Sequence, residues 1–398
     1  LIADGRWRIR SANTPALFQA LASLESGVLG CLSRSAGQPI WPYNYKLRIA
    51  IGLRLQTLVQ PARMNDPASA KPRLSVRHLS VQFRPRGMLP GLRRGHILAL
   101  DDLHIDVRHG ETIGFVGESG CGKTVLARAL AGLQKSITGS IRCDGEELRA
   151  TAKKDTSLLR HPIQLIEENP FADFKTRRKI GDIIGEALRL QTPKLDTQAR
   201  DAHVAALLAR VGLPDELAQK TLKALTAPER ARVALARALG AQPKVLLCDA
   251  PAAQLDDEAR EAFIELVVDV AQQMDLALLL FAQEPTALRP YCSRLLTMTL
   301  GKVMEQAPTD ALLDAPRHPY TRALLERAAI SEQSPLATHK KRAAKSAAPA
   351  LQHPPMGCVF HPRCPLAESA CVRSEPHLRR VGPEHYAACH FVGDGSQS

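Results

Sequence analysis

The chain has 398 residues, of which 45% are hydrophobic, and 53 Lys and Arg against 40 Asp and Glu leave a net charge of +13. That length allows two domains, or one domain with extensions, around an ordinary apolar core. No run of about 18 uncharged apolar residues occurs, which excludes a spanning helix of the usual kind, and no Arg/aromatic module turns the basic charge into a nucleic-acid footprint.

Residues 1–63 differ from the rest. They hold both tryptophans (Trp7 and Trp41) and eight basic residues against two acids, a net +6. Arg and Ser with few acids has the flavour of a transit peptide. An extension upstream of a start at Met64 is the preferred reading, and residues 1–71 are expected to be a poorly ordered basic extension. From Leu74 to Phe83 and Leu103 to Val107 the apolar residues alternate as in half-buried strands. Ile113-Gly-Phe-Val116 is a further apolar strand.

The next eight residues, Gly117-Glu118-Ser119-Gly120-Cys121-Gly122-Lys123-Thr124, match G-x-x-x-x-G-K-[ST]. Each position has a physical task. The glycines allow a tight turn whose N–H groups aim at phosphate oxygens, Lys123 adds a cation at the β and γ phosphates, and the Thr124 hydroxyl can ligate Mg²⁺. Val125–Leu130 favours a helix, so the loop lies at a helix N-terminus, where anions are favoured. This pattern implies a site for a nucleoside triphosphate.

Beyond it, helices are predicted at about 180–191, 197–211, 229–240, 257–274 and 309–327. Val245–Cys248 and Leu276–Phe281 are continuous apolar runs, as in parallel strands buried on both faces. The order predicts an α/β fold with a parallel core sheet and an antiparallel β part on its N-terminal side, over residues 72–330. Residues 331–354, rich in Ala, Lys, Ser and Pro, read as a linker, and 355–398 as a cysteine-bearing module.

Five cysteines (Cys31, Cys121, Cys143, Cys248 and Cys292) stand singly. Two of them, Cys121 and Cys248, lie in or beside the nucleotide site, where a disulfide would disrupt it. That argues for a reducing compartment. The other four, Cys358, Cys364, Cys371 and Cys389, are spaced C-x5-C-x6-C-x17-C. In a reduced protein such a group suggests a metal site, either tetrahedral Zn²⁺ or the four corners of a [4Fe–4S] cluster. The spacing lacks two-residue zinc knuckles, which favours iron–sulfur; zinc, and free or disulfide-bonded thiols, stay open. His361 and His390 read as neighbours of the ligands. The role expected of the module is a structural staple for a small tail.

Several stretches resemble the ATP-binding subunits of ABC transporters, in particular the dipeptide/oligopeptide (and nickel) importer family. These are the phosphate loop, Arg237–Asp249 leading into a Walker-B-like strand, Leu255-Asp256 at the D-loop position and Gly301–Gln306. The most specific are Pro316-Arg-His-Pro-Tyr-Thr-Arg-Ala-Leu-Leu325 and Gly357-Cys-Val-Phe-His-Pro-Arg-Cys-Pro365. The resemblance implies an ABC-type P-loop NTPase with a RecA-like core sheet, an antiparallel β subdomain and a helical subdomain. It implies ATP and Mg²⁺ as ligands, Asp249 at the metal, and an aromatic, best matched by Phe83, on the adenine. It also adds weight to a [4Fe–4S] cluster on the four cysteines. The implied partners are a second ATPase subunit, two membrane permeases and, indirectly, a substrate-binding protein. The implied location is the cytoplasmic face of the plasma membrane, as a peripheral subunit.

The chain departs from that family where hydrolysis should occur. The signature Leu-Ser-Gly-Gly-Gln is replaced by Leu225-Thr-Ala-Pro-Glu229. Pro228 has no N–H to offer a phosphate and Glu229 brings negative charge, although Pro228 can still open the following helix. Ala250 occupies the position of the catalytic glutamate, Gln283 that of the switch histidine, and Glu168 that of the Q-loop glutamine. Losing a general base costs about 10²–10⁴ in rate. The expectation is a peptide-importer ATPase subunit that binds ATP·Mg²⁺ and hydrolyses it poorly. The alternatives are a non-hydrolysing regulatory pseudo-ATPase, or a metal- or redox-responsive protein with a vestigial nucleotide site.

Overall fold

The computed structural model describes residues 71–83, 97–148, 161–172, 174, 177–249, 255–333 and 354–392. The N-terminal extension up to residue 70, and residues 334–353 of the expected linker, lie outside them.

Two sheets organise these residues. Strands β1 (Leu74–Phe83), β2 (Ile97–Val107), β4 (Ile137–Cys143) and β5 (Glu146–Glu147) form an antiparallel sheet in the order β2-β1-β4-β5. The second sheet contains β3 (Thr112–Val116), β6 (Ile163–Ile166), β7 (Val245–Asp249), β8 (Ala277–Ala282), β9 (Arg294–Thr299), β10 (Lys302–Pro308), β11 (Arg379–Gly382) and β12 (His385–Ala387). Its order is β11-β12-β10-β9-β3-β8-β7-β6. The five strands from β9 to β6 run parallel, while β10, β12 and β11 extend the β9 edge antiparallel.

The parallel strands are buried on both faces, and their residues alternate between two cores. Leu246, Cys248, Leu278 and Leu280 face one apolar cluster. Val245, Leu247, Leu279, Phe281, Ile113 and Phe115 face the other, under the antiparallel sheet. Phe115 stacks on Phe281 with ring centroids 5.1 Å apart. This explains why both runs are apolar without alternation: neither face meets water.

Helices cover the first cluster: α2 (Ile180–Gln191), α3 (Thr197–Arg210), α4 (Ala227–Gly240) and α5 (Asp257–Gln273). In α2 the buried Ile180, Ile183, Ile184 and Leu188 recur on one stripe, the spacing a helix needs to face a core. Asp196 and Asp256 cap α3 and α5, accepting from the N–H groups of Ala199 (2.7 Å) and Ala259 (2.8 Å). Helix α1 (Lys123–Leu130) follows the phosphate loop and packs into the second cluster.

The helix expected over 309–327 is two helices, α6 (Thr309–Asp314) and α7 (Pro319–Gln333). Pro316 and Pro319 cannot supply the N–H bonds a continuous helix requires, and Pro319 instead opens α7. The break is held by Glu305, fully buried on β10, which accepts from the N–H groups of Arg317 (2.6 Å) and His318 (3.0 Å) and meets His385 Nε2 at 2.6 Å.

The cysteine-bearing segment, with α8 (Ser369–Arg373), joins the main sheet. Strand β12 pairs with β10 through Glu305↔Ala387 and Gln306↔Tyr386, and Cys358, Val359, Phe360 and Cys371 belong to the first core cluster.

His161, buried at the entrance to β6, lies with Nδ1 3.1 Å from the Ile163 carbonyl oxygen. Burial lowers its pKa from the ordinary 6.5, against the raising effect of the bond to Ile163. The folded chain therefore refuses a proton that the unfolded chain accepts. This contribution to stability is complete above 6.5 and is lost as pH falls through and below that value. The urea midpoint is expected to drop between pH 7.5 and 5.5 more steeply in the wild type than in His161→Gln; equal slopes would contradict this assignment.

Candidate nucleotide site

The parallel register brings the predicted residues to one edge of the sheet. Val116 pairs with Ala282, Asp249 with Phe281, and Ile166 with Cys248. The carboxyl ends of β3, β8, β7 and β6 thus deliver the phosphate loop, Gln283, Asp249 and Glu167-Glu168 side by side. Such a crevice at the carboxyl ends of strands is where open α/β sheets bind ligands.

The loop turns from β3 into α1 as expected. Gly120 has φ 79°, and a Cβ built there would meet nothing within 4 Å, so the loop is open at this point. Lys123 Nζ donates to the carbonyls of Gly117 (2.6 Å) and Glu118 (3.0 Å) and lies 3.4 Å from Cys121 Sγ. Ser119 is exposed, and Gly122 caps α1 in the left-handed region. The loop is braced from outside. Gly301, at the tip of the β9–β10 hairpin, donates its N–H to the Cys121 carbonyl at 2.8 Å. Leu300 and Gly301 have φ 46° and 78°, the paired positive values of a tight two-residue hairpin turn. A side chain at 301 would drive into the Ala99 carbonyl, 2.4 Å from the new Cβ. Tyr320 of α7 donates its hydroxyl to the Met298 carbonyl (2.8 Å) and accepts the Glu118 N–H (3.1 Å).

The Thr124 hydroxyl lies beside the Asp249 carboxylate and favours its charged form. Burial pushes the Asp249 pKa up and the nearby Glu168 adds to that push; Thr124 and Lys123 oppose it. Glu167 is held by Arg128 at 2.6 Å. Glu167 and Glu168 line a groove of ≈ 210 Å³ together with Ala227 and Arg230 of α4 and Leu255. Gln283 is exposed just past β8. Phe83 ends β1, half-buried against the second core cluster. Ala250 lies outside the described residues.

Thr226 and Glu229 form a closed unit. Helix α4 begins at Ala227, two residues before the expected start, because Thr226 caps it: its Oγ1 accepts the Glu229 N–H at 3.4 Å. Glu229 Oε2 in turn accepts from Thr226 N–H (2.8 Å) and Thr226 Oγ1 (2.9 Å). This is a capping box, with Pro228 in the first turn where its missing N–H is harmless. The Thr226 and Glu229 amide donors are thereby used inside the loop, and Pro228 has none.

Cys358, Cys364, Cys371 and Cys389 converge on a cavity of ≈ 10 Å³ that His318, Phe360 and Phe391 also line. Among the described residues no cysteine is in a disulfide. Cys358 N–H donates to the Cys371 carbonyl at 2.8 Å. One ring nitrogen of each flanking histidine bonds backbone: His361 Nδ1 with the Cys358 carbonyl (2.9 Å), His390 Nε2 with the Ser374 carbonyl (3.0 Å).

Residues 100–253 match the family model "ABC transporter", and residues 304–371 match "Oligopeptide/dipeptide transporter, C-terminal region". The chain is 36% identical over 304 residues to the di/tripeptide transport ATP-binding protein DppF of Pseudomonas aeruginosa, covering 76% of this chain and 93% of that one. The chain belongs to the peptide-transporter branch of the ABC ATP-binding proteins. It is 31% identical over 319 residues to the oligopeptide transport ATP-binding protein AppF of Bacillus subtilis, covering 80% and 97% of the two chains. Among solved structures, cbiO1 of Clostridium perfringens superposes with a TM-score of 0.51 at 21% identity, over 67% of this chain and 95% of that one. That likeness shows the ABC ATPase fold. Among the described residues, no helix is long and apolar enough to cross a membrane.

For this ABC protein, sequence reasoning named the loop and Asp249 but missed the groups that brace the loop, Gly301 and Tyr320. The 316–325 and 357–365 runs were conspicuous as motifs, yet nothing in their spacing tied them to a loop some 200 residues upstream. Thr226→Ala removes the hydroxyl half of the capping box and is expected to cost about 1 kcal/mol in urea unfolding. Thr226→Ser should retain the wild-type midpoint; equal loss in both would mean the cap does not hold α4.

Proposed function

We propose that the chain is the ATP-binding subunit of an importer of di- or oligopeptides, that it holds ATP·Mg²⁺, and that its own hydrolysis is impaired. The observation that carries the binding half is the pair Thr124–Asp249 beside Lys123 at the mouth of an open glycine loop. Lys123 would exchange its two loop carbonyls for β and γ phosphate oxygens, and the N–H groups at the start of α1 would add their dipoles. Thr124 and Asp249 would ligate Mg²⁺, whose charge suits a buried carboxylate that burial and Glu168 push towards its neutral form. Phe83 is the proposed stacking partner of adenine.

The catalytic half is weak on chemical grounds. Ala250 has no group to polarise water, and Gln283 cannot carry a proton. The capping box leaves the signature loop few donors for a phosphate on a partner subunit. The proposed partners are a second ATPase subunit and two permeases served by a substrate-binding protein, with this chain peripheral on the cytoplasmic face of the membrane. The relatives' names support that setting.

The four cysteines suit a metal group. They share one cavity with apolar walls and are thiols. Their C-x5-C-x6-C-x17-C spacing, without two-residue zinc knuckles, is what favours a [4Fe–4S] cluster, which would cross-link the C-terminal segment.

Lys123→Ala is expected to weaken binding of a fluorescent ATP analogue roughly 10–100-fold, the loss typical of a charged hydrogen-bonding group. Unchanged affinity would remove the nucleotide reading. Ala250→Glu is expected to raise phosphate release, by up to about 10²–10⁴-fold if the missing base alone limits turnover. No rise would show that the signature loop or Gln283 sets the limit. Cells lacking the chain should lose uptake of labelled peptides; wild-type uptake would exclude the transport role. Anaerobically purified protein is expected to absorb visible light and contain iron and labile sulfide. A colourless protein with one zinc would refute the cluster.

A further inference from the structure

Glu118 is an awkward residue for a phosphate site. It follows Gly117 directly, and its carboxylate is a second anion beside the place proposed for the triphosphate. The fold surrounds it with cations from two distant segments. Arg363 Nη1 donates to both carboxylate oxygens, at 2.9 and 3.0 Å, and Arg327 of α7 forms a further ion pair. The side chains of Glu118 and Arg363 are only 14% and 13% exposed, so water screens this pair little. Burial pushes Glu118 towards protonation, but the bond and charge of Arg363, with Arg327, outweigh it and hold the carboxyl below its ordinary range.

Arg363 is the residue before Cys364, in a tight turn spanning His361–Arg363. Its N–H donates to the Phe360 carbonyl at 3.0 Å, and its guanidinium lies over the Phe360 ring, 5.2 Å from the centroid. The turn is closed by His361 N–H to the Cys358 carbonyl (3.0 Å) and Cys364 N–H to the His361 carbonyl (3.2 Å). Anything that fixes Cys358 against Cys364 therefore fixes the direction of Arg363. Two further guanidinium nitrogens, Nε and Nη2, are buried without an acceptor, so the single contact to Glu118 holds the arginine's hydrogen-bonded end.

We propose that Arg363 is a positioning residue of the nucleotide site, through which the cysteine turn 358–364 holds Glu118, and with it the phosphate loop, in a form that admits an anion. The cysteine module is thus a brace on the loop as well as a staple for the tail. A change that opens the cysteine turn loosens the arginine and leaves Glu118 with Arg327 as its remaining cationic partner beside the phosphates. This rests on the reading of residues 117–124 as the nucleotide site.

The test uses the full chain with Arg363→Gln, Glu118→Gln, the double variant and Cys364→Ser, and two readouts. The first is hydrogen–deuterium exchange of residues 117–124 without nucleotide. Arg363→Gln and Cys364→Ser are expected to speed it, and unchanged exchange in Arg363→Gln overturns the proposal whether or not the protein binds ATP. The second is affinity for a non-hydrolysable ATP analogue with Mg²⁺. Arg363→Gln is expected to weaken it roughly 10–100-fold, as loss of a charge-assisted bidentate pair does. Adding Glu118→Gln should restore it to within a few-fold of wild type. A double variant as weak as Arg363→Gln overturns the positioning role. Absence of analogue binding by the wild type would refute the nucleotide reading instead, and exchange would still decide the brace.

Discussion

The arrangement of the site depends on one constraint, the in-register pairing of the parallel strands β6, β7, β8 and β3. Each of these strands ends within one residue of its neighbour. Because hydrogen bonding fixes that register and burial on both faces forbids a slip, every loop leaving the carboxyl edge begins at the same level. A one-residue shift would carry Leu246 and Cys248 from one core to the other and tilt Asp249 away from Thr124. The crevice is therefore a consequence of the two cores, and its chemistry depends on which residues the sequence places just after each strand.

What occupies those positions is uneven. The binding components are complete: loop, lysine, hydroxyl and carboxylate lie together, and the loop is braced by Gly301 and Tyr320. At the positions proposed to turn binding into hydrolysis, the described residues make contacts that serve the fold. Thr226 and Glu229 are the clearest case. They make a capping box, and the Thr226 and Glu229 N–H groups are thereby bonded within the start of α4.

The C-terminal segment changes character when seen in the fold. Its strands lengthen the main sheet beyond β10, Cys358 and Cys371 sit in the first core cluster, and Lys302 at the hairpin tip pairs with both Asp101 and Glu375. Arg363 then reaches the phosphate loop itself. A tail of this size cannot bury a core of its own, and sharing one with the ATPase domain is the physical alternative to independent folding.

Local chemistry was legible in the sequence wherever it is decided by neighbours along the chain. The phosphate loop, the apolar strands at 245–249 and 277–282, the helices at 180–191 and 257–273, and the four-cysteine spacing all depend on period, glycine placement and residue type over a few positions. The break at Pro316 and Pro319 was written there too, but the apolar pattern on either side hid it until Glu305 was seen holding the exposed N–H groups. Contacts between residues 118, 320, 327 and 363 have no such signature, because the energy that joins them depends on distance in space and on exclusion of water. Only the tertiary structure decided that Glu118 has an arginine partner and that Glu229 is bound to its own helix. The amino-acid order by itself determined that this protein carries the glycine loop 117–124 with Lys123 and Thr124, and that Pro228 and Glu229 stand at the start of α4.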